Sequence, residues 1–238
     1  MFSATLRQMT ERNTALEAHR KLLQLVQDFA RPMIWLFAGD SITHGIEHTH
    51  GARNYVELWQ ELIKWEWGIH TPTGYHHGER RRDFIINSGV SGQTAGDFLR
   101  DLPWRLHQFN PQVVFINFGI NDAMHDDGIA PFTAHLTGIV NAVREKGAIP
   151  VLQTPTPTNF EKLTELPLYA EAVRALADRE QLLLVDHAAY WKEILGSDQA
   201  YTDWMSDTVH PNAKGHRVMH RVLAVALDMV PPYSETVR

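Results

Sequence analysis

Five short, nearly uninterrupted apolar runs punctuate this chain: Met33–Ala38, Asp83–Asn87, Gln112–Phe118, Ala148–Gln153 and Leu182–Asp186. A strand wetted on one face alternates apolar and polar residues, whereas a continuous run belongs to a strand covered on both faces. Helix-period patterns fill the intervals at Tyr55–Trp67, Ala95–Gln108, Phe132–Lys146 and Pro167–Glu180, and a last one runs from Asn212 to Met229. Strand–helix alternation predicts a mostly parallel sheet with right-handed crossovers, a three-layer α/β/α domain. With 238 residues and 44% hydrophobic content the chain can fill one such core.

The segment Thr5–Phe29 also reads as a helix, with Leu16, Leu22, Leu23, Val26 and Phe29 on one stripe. Residues 1–31 are therefore expected to form a helical extension ahead of a domain spanning 32–238. That extension is either an extra layer or a contact between copies in a homo-oligomer. Gly68–Arg82, rich in histidine and ending in three arginines, reads as a loop. The net charge is -6 and no basic run stands out, so no nucleic-acid partner is expected. With 0 cysteines, disulfides, iron–sulfur ligation and a thiolate nucleophile are excluded. Arg7, Glu11, Arg12 and Glu17 interrupt any apolar leader segment. No apolar stretch approaches the roughly 20 residues of a membrane helix. The expectation is a soluble cytoplasmic protein with no membrane partner.

Four short motifs follow these elements in order. Gly39-Asp40-Ser41 ends the first run, and Asn87-Ser88-Gly89-Val90-Ser91-Gly92-Gln93-Thr94 follows the second. Gly119-Ile120-Asn121-Asp122 follows the third, and Asp207-Thr208-Val209-His210-Pro211 precedes the last helix. Carboxyl ends of parallel strands converge on one edge, where open α/β folds place their chemistry. A serine, a histidine and a carboxylate there are the ingredients of nucleophilic acyl transfer. Ser41 is the candidate nucleophile and His210 the base, held extended by Pro211 at the mouth of the last helix. Asp207 can accept a hydrogen bond from that imidazole; Asp203 and Asp198 are nearby alternatives.

These motifs resemble the SGNH-hydrolase (GDSL esterase/lipase) superfamily, from about Ile34 to Leu227. By average amino-acid usage a Gly-Asp-Ser triplet arises by chance in roughly one chain of this length in twenty, whereas the joint motifs would be about a one-in-10⁴-to-10⁵ event. The resemblance implies a flavodoxin-like fold with a five-stranded parallel sheet in the order 2-1-3-4-5. It selects Asp207 by its spacing from His210. It assigns the oxyanion hole to the Ser41 N–H, the Gly92 N–H and the Asn121 side-chain amide. Asp40, Asn87 and Asp122 brace the loops, and no cofactor or metal is needed.

Two rival sites lie nearby. Gly89-Val90-Ser91-Gly92 nearly matches a nucleophile elbow, but Gln93 stands where its second glycine belongs. His44, His48 and His50, with His76 and His77, could suggest a metal site. Gly45, Thr49 and Gly51 argue for a loop, and no carboxylate completes a clear spacing, so these read as loop histidines beside the pocket. Trp204, three residues before Asp207, is a candidate platform for a sugar ring. The Asp-x-x-His-Pro motif with Gly215-His216 is most similar to compact carbohydrate and acetyl esterases. The expected activity is hydrolysis of short acyl esters, acetyl foremost, on a small molecule or carbohydrate. The alternatives are a lysophospholipase or acyl-thioesterase on the same machinery, or an inactive carbohydrate-binding module.

Overall fold

The computed structural model describes residues 3–67, 79–125, 128–196, 202–231, 234 and 237. The apolar runs become β1 (Ile34–Gly39), β2 (Phe84–Gly89), β3 (Val113–Asn117), β4 (Ile149–Gln153) and β5 (Leu183–Val185). They form one parallel sheet in the order β2-β1-β3-β4-β5, as expected. The helices are α1 (Ala4–Thr14), α2 (Glu17–Gln27), α3 (Ser41–His44), α4 (Tyr55–Glu61), α5 (Ala95–Arg100), α6 (Ile120–His125), α7 (Ile129–Glu145), α8 (Leu166–Arg179), α9 (His187–Leu195) and α10 (Ala213–Ala226).

Alternation along β1 sends Trp35 and Phe37 to the same face of the sheet. There the Phe37 and Phe115 rings stack at 4.3 Å, and Trp59 of α4 meets Phe115 edge-on at 5.2 Å. α10 packs beside α4 on that face. Right-handed crossovers carry α5, α7 and α8 to the other face, where they pack side by side. Register then positions the site. Gly39 pairs with Gly89 on one side and with Asn117 on the other, so three strands end at one level and release their loops together.

Two expected helices are shorter than their periodicity suggested. The Tyr55–Trp67 pattern continues past α4 as a wider turn over Leu62–Trp67, and Pro103 opens a separate segment, Pro103–His107, after α5. Of the expected loop Gly68–Arg82, residues 68–78 lie outside the described residues, and Glu79–Arg82 forms one tight turn. Arg80 in that turn is buried and paired with Asp83 at 3.2 Å rather than solvated.

The N-terminal segment is two helices, broken where Leu16 adopts an extended backbone. Both belong to the main core, with Leu6, Met9, Leu22 and Val26 buried in it. The extension is thus an extra layer, and these side chains are spent on intramolecular contact. Its polar residues finish two ragged edges. Asn13, fully buried, donates to the Leu184 carbonyl at 2.8 Å and accepts from the Leu184 N–H at 3.0 Å, covering the free edge of β5. It also donates to the Ala226 carbonyl at 2.8 Å, while Thr10 reaches Val225 at 2.8 Å and the His19 ring reaches Leu227 at 2.9 Å. A helix leaves its last carbonyls without intrahelical partners, and these three side chains cap the end of α10.

Asn13→Ala would strand a buried N–H and two buried carbonyls. Urea unfolding should show a loss of about 2–4 kcal/mol. A loss below about 0.5 kcal/mol would mean that water takes over these bonds.

Candidate active site

The chain leaves β1 through Gly39, whose backbone is too crowded for any side chain. A Cβ there would stand 2.0 Å from Thr43 Oγ1 and 2.9 Å from the Asn117 carbonyl. Asp40 then caps α3, its carboxylate accepting the Ile42 N–H at 2.9 Å. Ser41 is the first residue of that short helix, beyond the sheet edge. Thr43 anchors the helix from beneath through a 2.9 Å bond to the Tyr55 hydroxyl. Asn87 ties β2 to it, accepting from the Gly89 N–H at 2.9 Å and donating to the Thr43 carbonyl at 2.8 Å.

The opposing loop is equally constrained. Asn212, the N-cap of α10, accepts from the N–H groups of Lys214 and Gly215 and donates to the carbonyls of Asp203 and Met205. Ser206 N–H donates to the His210 carbonyl at 2.8 Å, closing the loop on itself. The Asp207 carboxylate accepts the Val209 and His210 N–H groups, each at 2.7 Å. Partial burial works against its ionisation, but those two bonds and the His210 ring outweigh it and hold the carboxyl below its ordinary range. His210 Nδ1 lies 2.8 Å from Asp207 Oδ2, and His210 Nε2 lies 2.9 Å from Ser41 Oγ. Serine, imidazole and carboxylate are thus joined in one line across two loops that are 169 residues apart in sequence. Asp203 supplies only its carbonyl here, and Asp198 lies outside the described residues.

On the loop after β2, Gly92 has φ +80, and nothing outside its chain neighbours lies within 4 Å of where its Cβ would be. That left-handed backbone suits glycine and leaves open space in front of it. Asn121, on α6, spends one amide hydrogen on the Gln93 carbonyl at 3.0 Å and has a second to offer. Asp122 next to it accepts the Ala95 N–H at 3.0 Å, joining α6 to α5. Arg105, missed in the sequence, is buried beneath this edge and donates to the Gly39 carbonyl at 3.1 Å and to Gln93.

A family model described as GDSL-like lipase/acylhydrolase matches residues 37–218. The chain belongs to this family. Ester-bond hydrolysis is the family's reaction. An acetylxylan esterase of Geobacillus stearothermophilus is 26% identical over 204 residues, covering 78% of this chain and 90% of that protein. An arylesterase of Vibrio mimicus is 28% identical over 102 residues, 42% of this chain, and the chain spans only 50% of that relative's length. A solved structure of a catalytic mutant of an acetylxylan esterase from Geobacillus stearothermophilus superposes with a TM-score of 0.67 at 21% identity, covering 87% of this chain and 96% of that one. At that identity the match establishes a shared fold.

The structure also places the other residues singled out in this GDSL-family chain. Trp204 is no exposed platform: it is 7% exposed and meets Trp191 edge-on at 5.1 Å inside the core. Its carbonyl also packs so close to Gly215 that a Cβ there would be 2.3 Å away. Ser91 lies 3.2 Å from His44 Nδ1, but among the described residues no carboxylate backs that histidine. His216 is buried below the site and accepts the Tyr55 N–H at 3.3 Å; burial drives its pKa down to about 3 and keeps it neutral. Of the histidine cluster, His76 and His77 lie outside the described residues. His48 was the surprise. Its ring stacks on His210 at 3.6 Å, and its Nδ1 lies 3.4 Å from Asp207. Ligand atoms of His48, Asp207 and His210 lie within 4.8 Å of one another. The rings are within 6° of parallel, however, so their in-plane lone pairs run side by side instead of converging as a tetrahedral metal requires.

A cavity of about 940 Å³ lies past the loop that carries Asp207 and His210, bounded by Pro155, Thr156, Asn159, Arg174 and Lys192. Ser41, Asp207 and His210 are not among its lining residues. It touches the site indirectly, through the Asn159 N–H bond to the Thr208 carbonyl at 2.8 Å.

The carboxylates that brace the loops carry a pH signature. Burial, opposed by the Ile42 N–H bond, pushes Asp40 up to about 7, and burial pushes Asp122 up to about 6. The folded chain therefore holds these protons more tightly than the unfolded chain, whose Asp40 would titrate near 3.8. Their stabilising effect is complete below that value and is lost as pH rises towards 7. Asp40→Asn keeps the cap acceptor but cannot ionise. Urea unfolding should show it gaining roughly 1–3 kcal/mol on the wild type between about pH 5 and about pH 8. A pH-independent difference would mean that Asp40 does not titrate in that range.

Proposed function

We propose that this chain is a serine esterase that removes short acyl groups, acetyl foremost, from carbohydrate or related small-molecule esters. The observation that carries this reading is the continuous contact from Asp207 through His210 to Ser41, at 2.8 and 2.9 Å. Ser41 Oγ attacks the ester carbonyl carbon while His210 Nε2 takes its proton. Asp207 holds the proton on Nδ1 and stabilises the imidazolium that forms. The carbonyl electron pair moves onto oxygen, and that oxyanion is met by the Ser41 N–H, the Gly92 N–H and the free amide hydrogen of Asn121. The tetrahedral adduct collapses, the bond to the alcohol oxygen breaks, and His210 returns the proton to the leaving alcohol. Water then repeats the cycle on the acyl-serine and releases the acid.

The acyl preference is supported by the acetylxylan esterase that matches over 90% of its own length. Open space before Gly92 fits a small acyl group. His44 at the end of α3 and His50 on the loop after it offer polar contacts to a hydroxylated alcohol.

Hydrolysis of p-nitrophenyl esters across acyl chain lengths, with variants beside wild type, tests the reading. Activity should be confined to short acyl groups. Ser41→Ala should lower kcat about 10⁴- to 10⁶-fold, and Asn121→Ala about 10²- to 10³-fold. Wild-type turnover in Ser41→Ala would falsify the nucleophile assignment. Activity rising with chain length would move the substrate to lipids or acyl thioesters, and absence of covalent labelling by an organophosphonate would favour a carbohydrate-binding role.

A further inference from the structure

The stack of His48 on His210 is unusual in its form. The two ring centroids are 3.6 Å apart with planes within 6°, a nearly face-to-face sandwich. Neutral aromatic rings avoid that arrangement because their negative faces repel. It becomes favourable when one ring carries a positive charge and the other does not, since the neutral face then attracts the cation. In the reaction above, His210 acquires that charge each time it takes the Ser41 proton.

His48 is also held where it is. Thr49, buried next to it, donates to the Gly45 carbonyl at 3.1 Å. His50 adopts φ +50, a left-handed backbone uncommon outside glycine, and reaches Ser206 Oγ at 3.3 Å. The loop after α3 is therefore joined to the catalytic loop both at His48, beside Asp207, and at His50, beside Ser206. The 3.4 Å separation of His48 Nδ1 and Asp207 is too long for a strong hydrogen bond, which leaves the stack as the main contact.

We propose that His48 is a positioning residue of the esterase. Its neutral ring, laid flat on His210, stabilises the imidazolium and fixes that ring in line between Ser41 and Asp207. The inference rests on the serine-esterase reading. His48 is faced by Glu47 and His50 from its own loop, by Asp207 and His210 from the catalytic loop, and by His216 from α10. Burial and the neighbouring His210 hold its pKa below the ordinary histidine value despite the opposing pull of Asp207 and Glu47. A lowered His48 pKa favours the neutral ring that the stack calls for.

The test is the rate of organophosphonate labelling of Ser41 between about pH 5 and 8 in wild type, His48→Ala and His48→Phe, with ester kinetics alongside. His48→Ala should label about tenfold more slowly and lose kcat by the same factor, with KM within about twofold. Its acid limb should move to lower pH, because His210 loses a stabiliser of its protonated form. His48→Phe, which keeps a neutral π face, should recover most of the rate and return the acid limb towards that of wild type. A His48→Ala chain labelled like wild type at every pH would overturn the proposal, as would a His48→Phe chain as slow as His48→Ala. A wild-type chain that takes no label fails at the esterase reading itself, which separates the two.

Discussion

The site depends on the register of β1 with both of its neighbours. Backbone pairing brings Gly39 level with Gly89 and with Asn117, so the loops carrying Ser41, Gly92 and Asn121 start from one plane. A slip of one residue in either ladder would move a loop by more than 3 Å and turn every side chain of the strand to the opposite face. Buried aromatic packing of Trp35, Phe37 and Phe115 beneath α4 fixes that register. The placement of these loops thus depends on apolar contacts of Trp35, Phe37 and Phe115, which lie only a few residues before the strand ends.

Bracing the edge has a cost that falls on stability. Asp40 and Asp122 are both buried, and one oxygen of Asp122 has no hydrogen-bond partner. A solvent-facing cap or an apolar residue would be cheaper to bury. Their benefit is geometric: each accepts a backbone N–H at the start of a helix, Ile42 in α3 and Ala95 in α5. Those helix starts fix the segments that carry Ser41 and, on the neighbouring loops, Gly92 and Asn121. Burial that raises a carboxylate's pKa is thus the by-product of fixing backbone.

The strands and the four motifs were legible in the sequence because each rests on a local signal. Continuous apolar runs gave strand positions to within a residue or two, and Asp-x-x-His-Pro gave a loop that closes on itself. Residues that act through distant partners left no such signal. Asn13 falls within the expected helix and looks in sequence like a surface asparagine, yet it meets β5 and α10, 171 and 213 residues onward. His48 looked like one of several loop histidines; only the fold brings it onto His210. Trp204 failed in the other direction: proximity to Asp207 in sequence suggested exposure, but the loop turns its indole inward against Trp191. The break of the N-terminal helix at Leu16 was hidden because the apolar stripe continues across it.

His210 stands at the mouth of α10, so the placement of that helix sets the distance to Ser41. Three contacts fix α10 from different directions. Asn212 caps its start and grips the loop that carries Asp207 and His210. His216 and His220 on its inner face meet Tyr55 and Trp59 of α4, the helix that also anchors α3 through Tyr55 and Thr43. Thr10, Asn13 and His19 hold its last carbonyls. The last of these lie in a segment outside the span matched by the family, residues 37–218. The N-terminal helices close the open edge of β5 and the open end of α10 with the same side chain, Asn13. The Asn13 bond to the Ala226 carbonyl thus holds the far end of the helix whose near end carries the loop of His210, 2.9 Å from Ser41.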